Sequence, residues 1–379
     1  MFETSKPKIV ISTIGTSLLT NRVDRNNPDE KTWQTELRDE ANLSMKVTSI
    51  QVQGLIQRLK ERAEQQLGKG IAAVRRASAE LNGIYGLYDE DLSQAKQDMQ
   101  WLIATDTAQG CVTAEIVEAY LRQQGLTQVE IYMPKELSTA STEHFSEGVD
   151  DLISWLQQTI EPLRDRYEVI FNLVGGFKSL QGYMNTIGMF YADEIAYIFE
   201  GQGSPLIRIP RLPISIDESM LEPHRMQLAL ANAGGISVAA AVGIPEIMLG
   251  TVGDRKVLST WGLLLWNKVK QKLLSQNLLA FPRLKYATTF TTDYQNVLNP
   301  VERCQIQSLL AEVTSCLEAS NGDTSALARF TYTRYKNSDA IDHFRVNDAM
   351  RISCRKVDSC LELRYYGTHE HVERSEGLR

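Results

Sequence analysis

The N-terminal half of the chain repeats one pattern: a short apolar, β-branched run, a turn of small residues, then an apolar stripe at helical spacing. Lys8 to Thr13 (KIVIST) reads as a buried strand that ends in Gly15-Thr16-Ser17. Val52, Leu55, Ile56, Leu59 and Ala63 then mark one face of a helix. Trp101 to Thr105 is a second strand, followed by Asp106-Thr107 and a helix from Ala114 to Gln124. Val129 to Met133 and Val169 to Val174 are the third and fourth strands, and the latter runs into Gly175-Gly176-Phe177-Lys178. A helix carrying Leu180, Met184, Ile187 and Tyr191 precedes a fifth strand, Ala196 to Phe199. Strand, turn and helix in alternation predict a mostly parallel sheet covered by helices, with ligands outside the carboxyl ends of the strands.

The pattern changes after residue 205. Leu206 to Ile209 and Pro213 to Ile216 read as short strands, and Ser219 to Asn232 as a helix. Ser237 to Val242 and Glu246 to Leu249 read as small helical pieces, and Leu258 to Leu274 as a strong amphipathic helix. Helix, turn and helix suggest a helical or winged-helix connector. No basic recognition helix lies between Ser237 and Leu249, so packing is the simpler role. Lys285 to Thr291 alternates as a strand and Pro300 to Leu317 is helical. Ile341 to Val346, Ala349 to Arg355 and Cys360 to Tyr366 then read as three antiparallel strands with turns at Asn347-Asp348 and Asp358-Ser359.

Composition narrows the classes. A chain of 379 residues suggests two to four domains, and 23% charged with 43% hydrophobic residues is ordinary globular usage. A net charge of -7 excludes nucleic-acid binding by bulk positive charge. The five cysteines include no C-x-x-C pair, which argues against a zinc site or disulfide framework and for a reducing cytoplasm. Met1 to Pro7 is polar, so no signal peptide is expected. The apolar stretch Gly234 to Gly253 carries Glu246 and reads as buried helices, not a membrane span.

Three strand ends carry the first candidate chemistry. Ile14, Gly15, Thr16 and Ser17, then Thr105, Asp106 and Thr107, then Gly175, Gly176, Phe177 and Lys178 combine small residues, hydroxyls and a lysine at a helix start. A cation is unfavourable at that end of a helix, so an anionic ligand explains it. No G-x-G-x-x-G or Walker A sequence is present. KIVISTIGTSLL, RRASAELNGIY, WLIATDTAQG and FNLVGGFKSLQGYMNTIGMFYADEIAYIFEG together resemble the CARF sensor domains of type III CRISPR systems, over about residues 6–205. The resemblance implies a Rossmann-like domain whose pocket, lined by those residues, binds a cyclic oligoadenylate. Tetra-adenylate is expected ahead of hexa-adenylate. A two-fold ring implies a homodimer with one ligand on its axis.

The second candidate site lies near the C-terminus, where His343, His369 and His371 fall among several arginines. Histidine suits proton transfer near neutrality and arginine suits a phosphorane-like charge, so the cluster points to metal-independent RNA cleavage. Strand, helix and three antiparallel strands, with DHFRVNDAMRISCRKVDSCLELRYYGTHEHVER, resemble the RelE mRNA interferases. That resemblance implies His343, Arg345, Arg351, His369 and His371 as catalytic residues, and the ribosome and mRNA as partners. Thirteen basic and thirteen acidic residues from Ala280 to Arg379 leave no net charge for holding free RNA, which agrees with a need for the ribosome. The expected organisation is a CARF sensor over 1–205, a connector over 206–279 and an α+β RelE-like ribonuclease over 280–379. The expected activity is that of a cyclic-oligoadenylate-activated mRNA endoribonuclease needing no cofactor, metal or membrane. Two alternatives stay open: an R-x4-H (Arg364, His369) HEPN ribonuclease acting on free RNA, and a non-catalytic CARF transcription regulator.

Overall fold

A computed structural model describes residues 6–199, 205–336, 338 and 340–378; the first five residues, on which the reading of a polar N-terminus partly rests, lie outside them. Strands β1 (Lys8–Thr13), β2 (Met99–Ile103), β3 (Val129–Tyr132), β4 (Glu168–Asn172), β5 (Glu194–Ile198) and β6 (Leu206–Pro210) form one sheet in the order β3-β2-β1-β4-β5-β6. The first five are parallel and β6 is antiparallel to β5. This is the Rossmann-like arrangement expected from the alternation, and the strand order reverses between β1 and β4. The crevice outside the carboxyl ends of those two strands is where such sheets bind ligands. Ile9, Val10, Ile11, Val169, Ile170 and Phe171 are fully buried, as central parallel strands covered on both faces require.

The chain divides into two compact units, Met1–Ile214 and Ser215–Arg379. This corrects the boundary drawn at residue 205, because β6 completes the first sheet through its ladder with β5. It also joins the connector to the C-terminal segment. Trp266 and Leu273 share one apolar core with Leu310, Phe344, Ile352 and Leu363. Gln307 stitches the two stretches further, its amide donating to Leu274 O at 2.6 Å and its Oε1 accepting from the Leu279 N–H at 2.9 Å.

Within the second unit, β7 (Ile236–Ser237), β8 (Leu249–Val252) and β9 (Arg255–Leu258) form a small sheet between helices Arg225–Ala233 and Thr260–Leu274. Between β7 and β8 stand only two three-residue 3-10 turns, Ala239–Ala241 and Glu246–Met248. The winged-helix reading is corrected accordingly: a wing-like hairpin is present, but no α-helix lies in that interval to enter a groove. Gly243 with a positive φ and Pro245 interrupt the apolar run before a full helix can form.

The larger sheet of this unit has the order β10-β14-β13-β12-β11, with β10 (Leu284–Tyr286), β11 (Thr333–Arg334), β12 (Asp342–Arg345), β13 (Met350–Val357) and β14 (Cys360–Thr368). The three antiparallel strands expected from the sequence are β12, β13 and β14. The strand expected over Lys285 to Thr291 stops at Tyr286, and Thr288–Asn296 is a helix. Thr291 and Thr292 satisfy their hydroxyls on carbonyls one turn back, Ala287 O and Thr288 O, and burial of Phe290 and Tyr294 at i, i+4 outweighs β-branching. Pro213 to Ile216 forms no strand, and the helix expected from Ser219 begins only at Arg225.

Candidate functional site

The three strand ends meet at the switch point of the first sheet. β1 lies between β2 and β4, with Thr13 opposite Ile103 and Ser12 opposite Asn172. Beyond them Thr13 Oγ1 donates to Gly175 O at 2.6 Å. A Cβ placed on Gly15 would lie 3.1 Å from the Gly176 nitrogen, so the two glycine turns touch. Gly176 has φ +93°, which favours glycine. Helix Lys178–Tyr191 starts at Lys178 and its N-cap residue, Phe177, offers no side-chain acceptor. Lys178 is exposed and has no ion pair among the described residues. Thr107 caps the helix after β2 through Gly110 N–H and bonds the Thr105 hydroxyl at 2.9 Å. Asp106 is exposed, and its carboxylate would repel a phosphate brought into contact with it. Thr16 and Ser17 are half-buried at the same edge, with Ile14 buried beneath.

Two features here went unread in the sequence. A cleft of about 390 Å³ next to Thr16 is lined by Arg38 and Gln109, with the Arg38 guanidinium paired to Asp39 at 3.2 Å. Glu80, from helix Ala79–Leu87, is fully buried and its Oε1 accepts the Gly15 N–H at 2.6 Å. An acid inside RRASAELNGIY looks like a surface position until the fold closes over it.

The second cluster lies on the β12–β13–β14 face. Arg345 stands opposite Arg351 and His343 opposite Ser353. Arg351 Nη1 lies 2.7 Å from His369 Nδ1, and His369 Nε2 lies 3.1 Å from Glu373 Oε1. With Arg351 obliged to donate, His369 accepts at Nδ1 and carries its proton on Nε2. Tyr335 joins the group unannounced. Its ring stacks 4.2 Å from that of His343 and 6.3 Å from that of His369, and its buried hydroxyl has no hydrogen-bond partner among the described residues. Burial pushes the Tyr335 pKa up to about 12, against the pull of the Arg351 charge. It could not be read from sequence because it follows a two-residue strand and reaches the histidines only through the β11–β12 ladder.

His343, Arg351 and His369 therefore come together, with Arg345 exposed beside them. His371 turns elsewhere: its Nε2 lies 3.7 Å from Asp293 Oδ2, and a Cβ on Gly367 would lie 2.6 Å from its ring. His369 and His371 stand on a short helix, His369–Ser375, capped by Thr368.

His343 is held unlike an ordinary acid–base histidine. Burial first, then the charges of Arg351, His369 and Arg345, lower its pKa from 6.5 to about 4. The unfolded chain therefore binds more protons between those values, and stability is lost as pH falls from about 6.5 toward 4. Urea unfolding of the wild type is expected to show this loss, and His343→Gln to show less of it. Equal slopes in the two proteins would mean that His343 is not the group responsible.

The fold and these two clusters define a class: a Rossmann-like unit with a polar switch-point crevice, and an α+β unit with a histidine–arginine face. Residues 75–212 match the model of a family described as CRISPR-associated protein (Cas_APE2256), which ties the chain to CRISPR systems. The matched stretch includes Glu80, Thr105 to Thr107 and Gly175 to Lys178, and ends before the second unit. No helix among the described residues is long and apolar enough to cross a membrane.

Proposed function

We propose that this chain is a cyclic-oligoadenylate-activated, ribosome-dependent mRNA endoribonuclease of type III CRISPR defence, working as a cytoplasmic homodimer. The observation that carries the reading is the Arg351–His369–Glu373 chain beside His343 and Tyr335 on one sheet face. Arg351 faces the phosphate. A phosphate oxygen that draws Arg351 off His369 frees Nδ1 to take the proton of the 2′-hydroxyl, while Glu373 steadies the imidazolium that forms. The 2′-oxygen attacks its own 3′-phosphate, Arg351 and Arg345 stabilise the added charge, and a second group protonates the departing 5′-oxygen. The products are a 2′,3′-cyclic phosphate and a 5′-hydroxyl. Switch-point residues led by Lys178 hold the activator.

Two observations favour this over the alternatives. Arg364, the arginine of R-x4-H, lies on β14 and gives its Nε to both oxygens of Glu376 at 3.0 Å, so the motif spans a strand rather than a helix. The wing-like sheet lacks a recognition helix, which weakens a DNA-binding role.

The test mixes the protein, cyclic tetra-adenylate and programmed ribosomes, with and without EDTA. Cleavage is expected only with activator and ribosomes, undiminished by the amount of chelator the ribosome itself tolerates. Equal cleavage of naked mRNA overturns the ribosome requirement, and loss of cleavage at that chelator level overturns metal independence.

A further inference from the structure

The Glu80 carboxyl group occupies the place where the two glycine turns meet. Its Oε1 accepts the Gly15 N–H at 2.6 Å, its Oε2 accepts the Ser78 hydroxyl at 2.7 Å, and the Gly176 N–H bears on the same group. A Cβ on Gly175 would collide with it. The helix that carries Glu80 is pinned as well: Asn172 Nδ2 donates to Glu80 O at 3.0 Å and to Ser12 Oγ at 2.9 Å. No cation neutralises Glu80 among the described residues, and burial raises its pKa against the hydrogen bonds it accepts. An acid buried without a counter-ion is costly, and its compensation here is hydrogen bonding, to the glycine turns, to Ser78 and to its own backbone N–H.

The Gly15 N–H group is therefore already spent inside the protein and is not offered to a ligand, and the Gly176 N–H lies beside the same carboxyl group. We propose that Glu80 is a positioning residue of the sensor: it clasps the β1 and β4 turns into one shape, and the glycines act through it rather than by touching the activator. The groups that remain for a phosphate are outside the clasp, on Lys178 and the hydroxyls of Thr16 and Ser17. This inference rests on the cyclic-oligoadenylate reading of the crevice only for its ligand; the clasp stands without it.

The experiment uses the full chain with Glu80→Ala and Glu80→Gln. Glutamine keeps one acceptor for Gly15 and lets the Ser78 hydroxyl reverse its role, so it should restore what alanine loses. Without ligand, amide exchange at Gly15 and Gly176 is expected to speed up in Glu80→Ala and to stay near the wild-type rate at Gly15 in Glu80→Gln. With cyclic tetra-adenylate, Glu80→Ala is expected to bind at least about tenfold more weakly, and Glu80→Gln to stay within about threefold of wild type. Cleavage at saturating activator is expected to be unchanged in both. If Glu80→Ala does not fold, Gly175→Ala displaces the carboxyl group from the outside and should speed exchange at the same two amides. Protected amides in a folded Glu80→Ala or in Gly175→Ala, or wild-type affinity in a folded Glu80→Ala, overturn the proposal. Absence of cyclic tetra-adenylate binding by the wild type overturns the sensor reading, while the exchange contrast still decides the clasp.

Discussion

Arg351→Ala is expected to lower ribosome-dependent cleavage by about 10²–10³-fold at saturating activator, with ligand binding by the first unit unchanged. The reason lies in how the arginines of this face are used. Arg355 is held by Glu362 and Arg364 by Glu376. Arg351 has no carboxylate partner among the described residues, its buried Nε is unpaired, and its partner at Nη1 is the ring nitrogen of His369. Its charge is thus un-neutralised and aimed at a proton acceptor, the arrangement a phosphorane-like transition state uses best. Arg351→Lys keeps the charge without the planar fork and should recover only part of the rate. Arg364→Ala provides the contrast. It takes the cation from Glu376, whose side chain is 1% exposed and which keeps the Ser353 hydroxyl, so it should lower the melting temperature while leaving the chemistry of the folded fraction largely intact. Single-turnover cleavage of ribosome-bound mRNA, beside thermal unfolding, separates the two. Full activity in Arg351→Ala would remove the catalytic assignment. A folded but inactive Arg364→Ala would restore the R-x4-H alternative.

Lys178→Ala should abolish activation at ligand concentrations that saturate the wild type. Among the residues nominated at the three strand ends, Lys178 is the only cation, and it opens a helix whose first N–H groups have no side-chain cap. A charge-assisted hydrogen bond to phosphate contributes roughly 1.5–3 kcal/mol, so removing one weakens binding by about 10- to 150-fold. A two-fold ring held by two copies would forfeit one such bond to each subunit. The lysine faces the positive end of the helix macrodipole, so alanine should not destabilise the free protein and should stabilise it slightly. Calorimetric titration with cyclic tetra-adenylate reads the affinity and thermal unfolding reads the stability. Unchanged affinity would place the pocket elsewhere, with the Arg38 cleft the next place to look.

Much of the first unit was legible because parallel strands buried on both faces must be continuous apolar runs, and Lys8 to Thr13 and Val169 to Val174 are such runs. Their turns were legible too, since small residues before a helix carry a local signal. Errors fell where long-range packing overrides local preference. Lys285 to Thr291 reads as an alternating strand, yet Phe290 and Tyr294 bury one helical face. The connector looked separate because periodicity along the chain does not say which apolar faces share a core.

The same division runs through both sites. Residue type, together with the two family resemblances, nominated Lys178, Arg351 and His369, because cations and imidazoles state their chemistry wherever they lie. They also nominated Gly15 and Gly176, but as ligand-binding groups. Folding turned the Gly15 N–H inward to Glu80 and set Gly176 beside the same carboxyl group, put Tyr335 against two histidines, and sent His371 to Asp293. Each of those outcomes depends on partners distant in sequence, and on the rule that a buried polar group takes whichever partner the closed structure brings within reach.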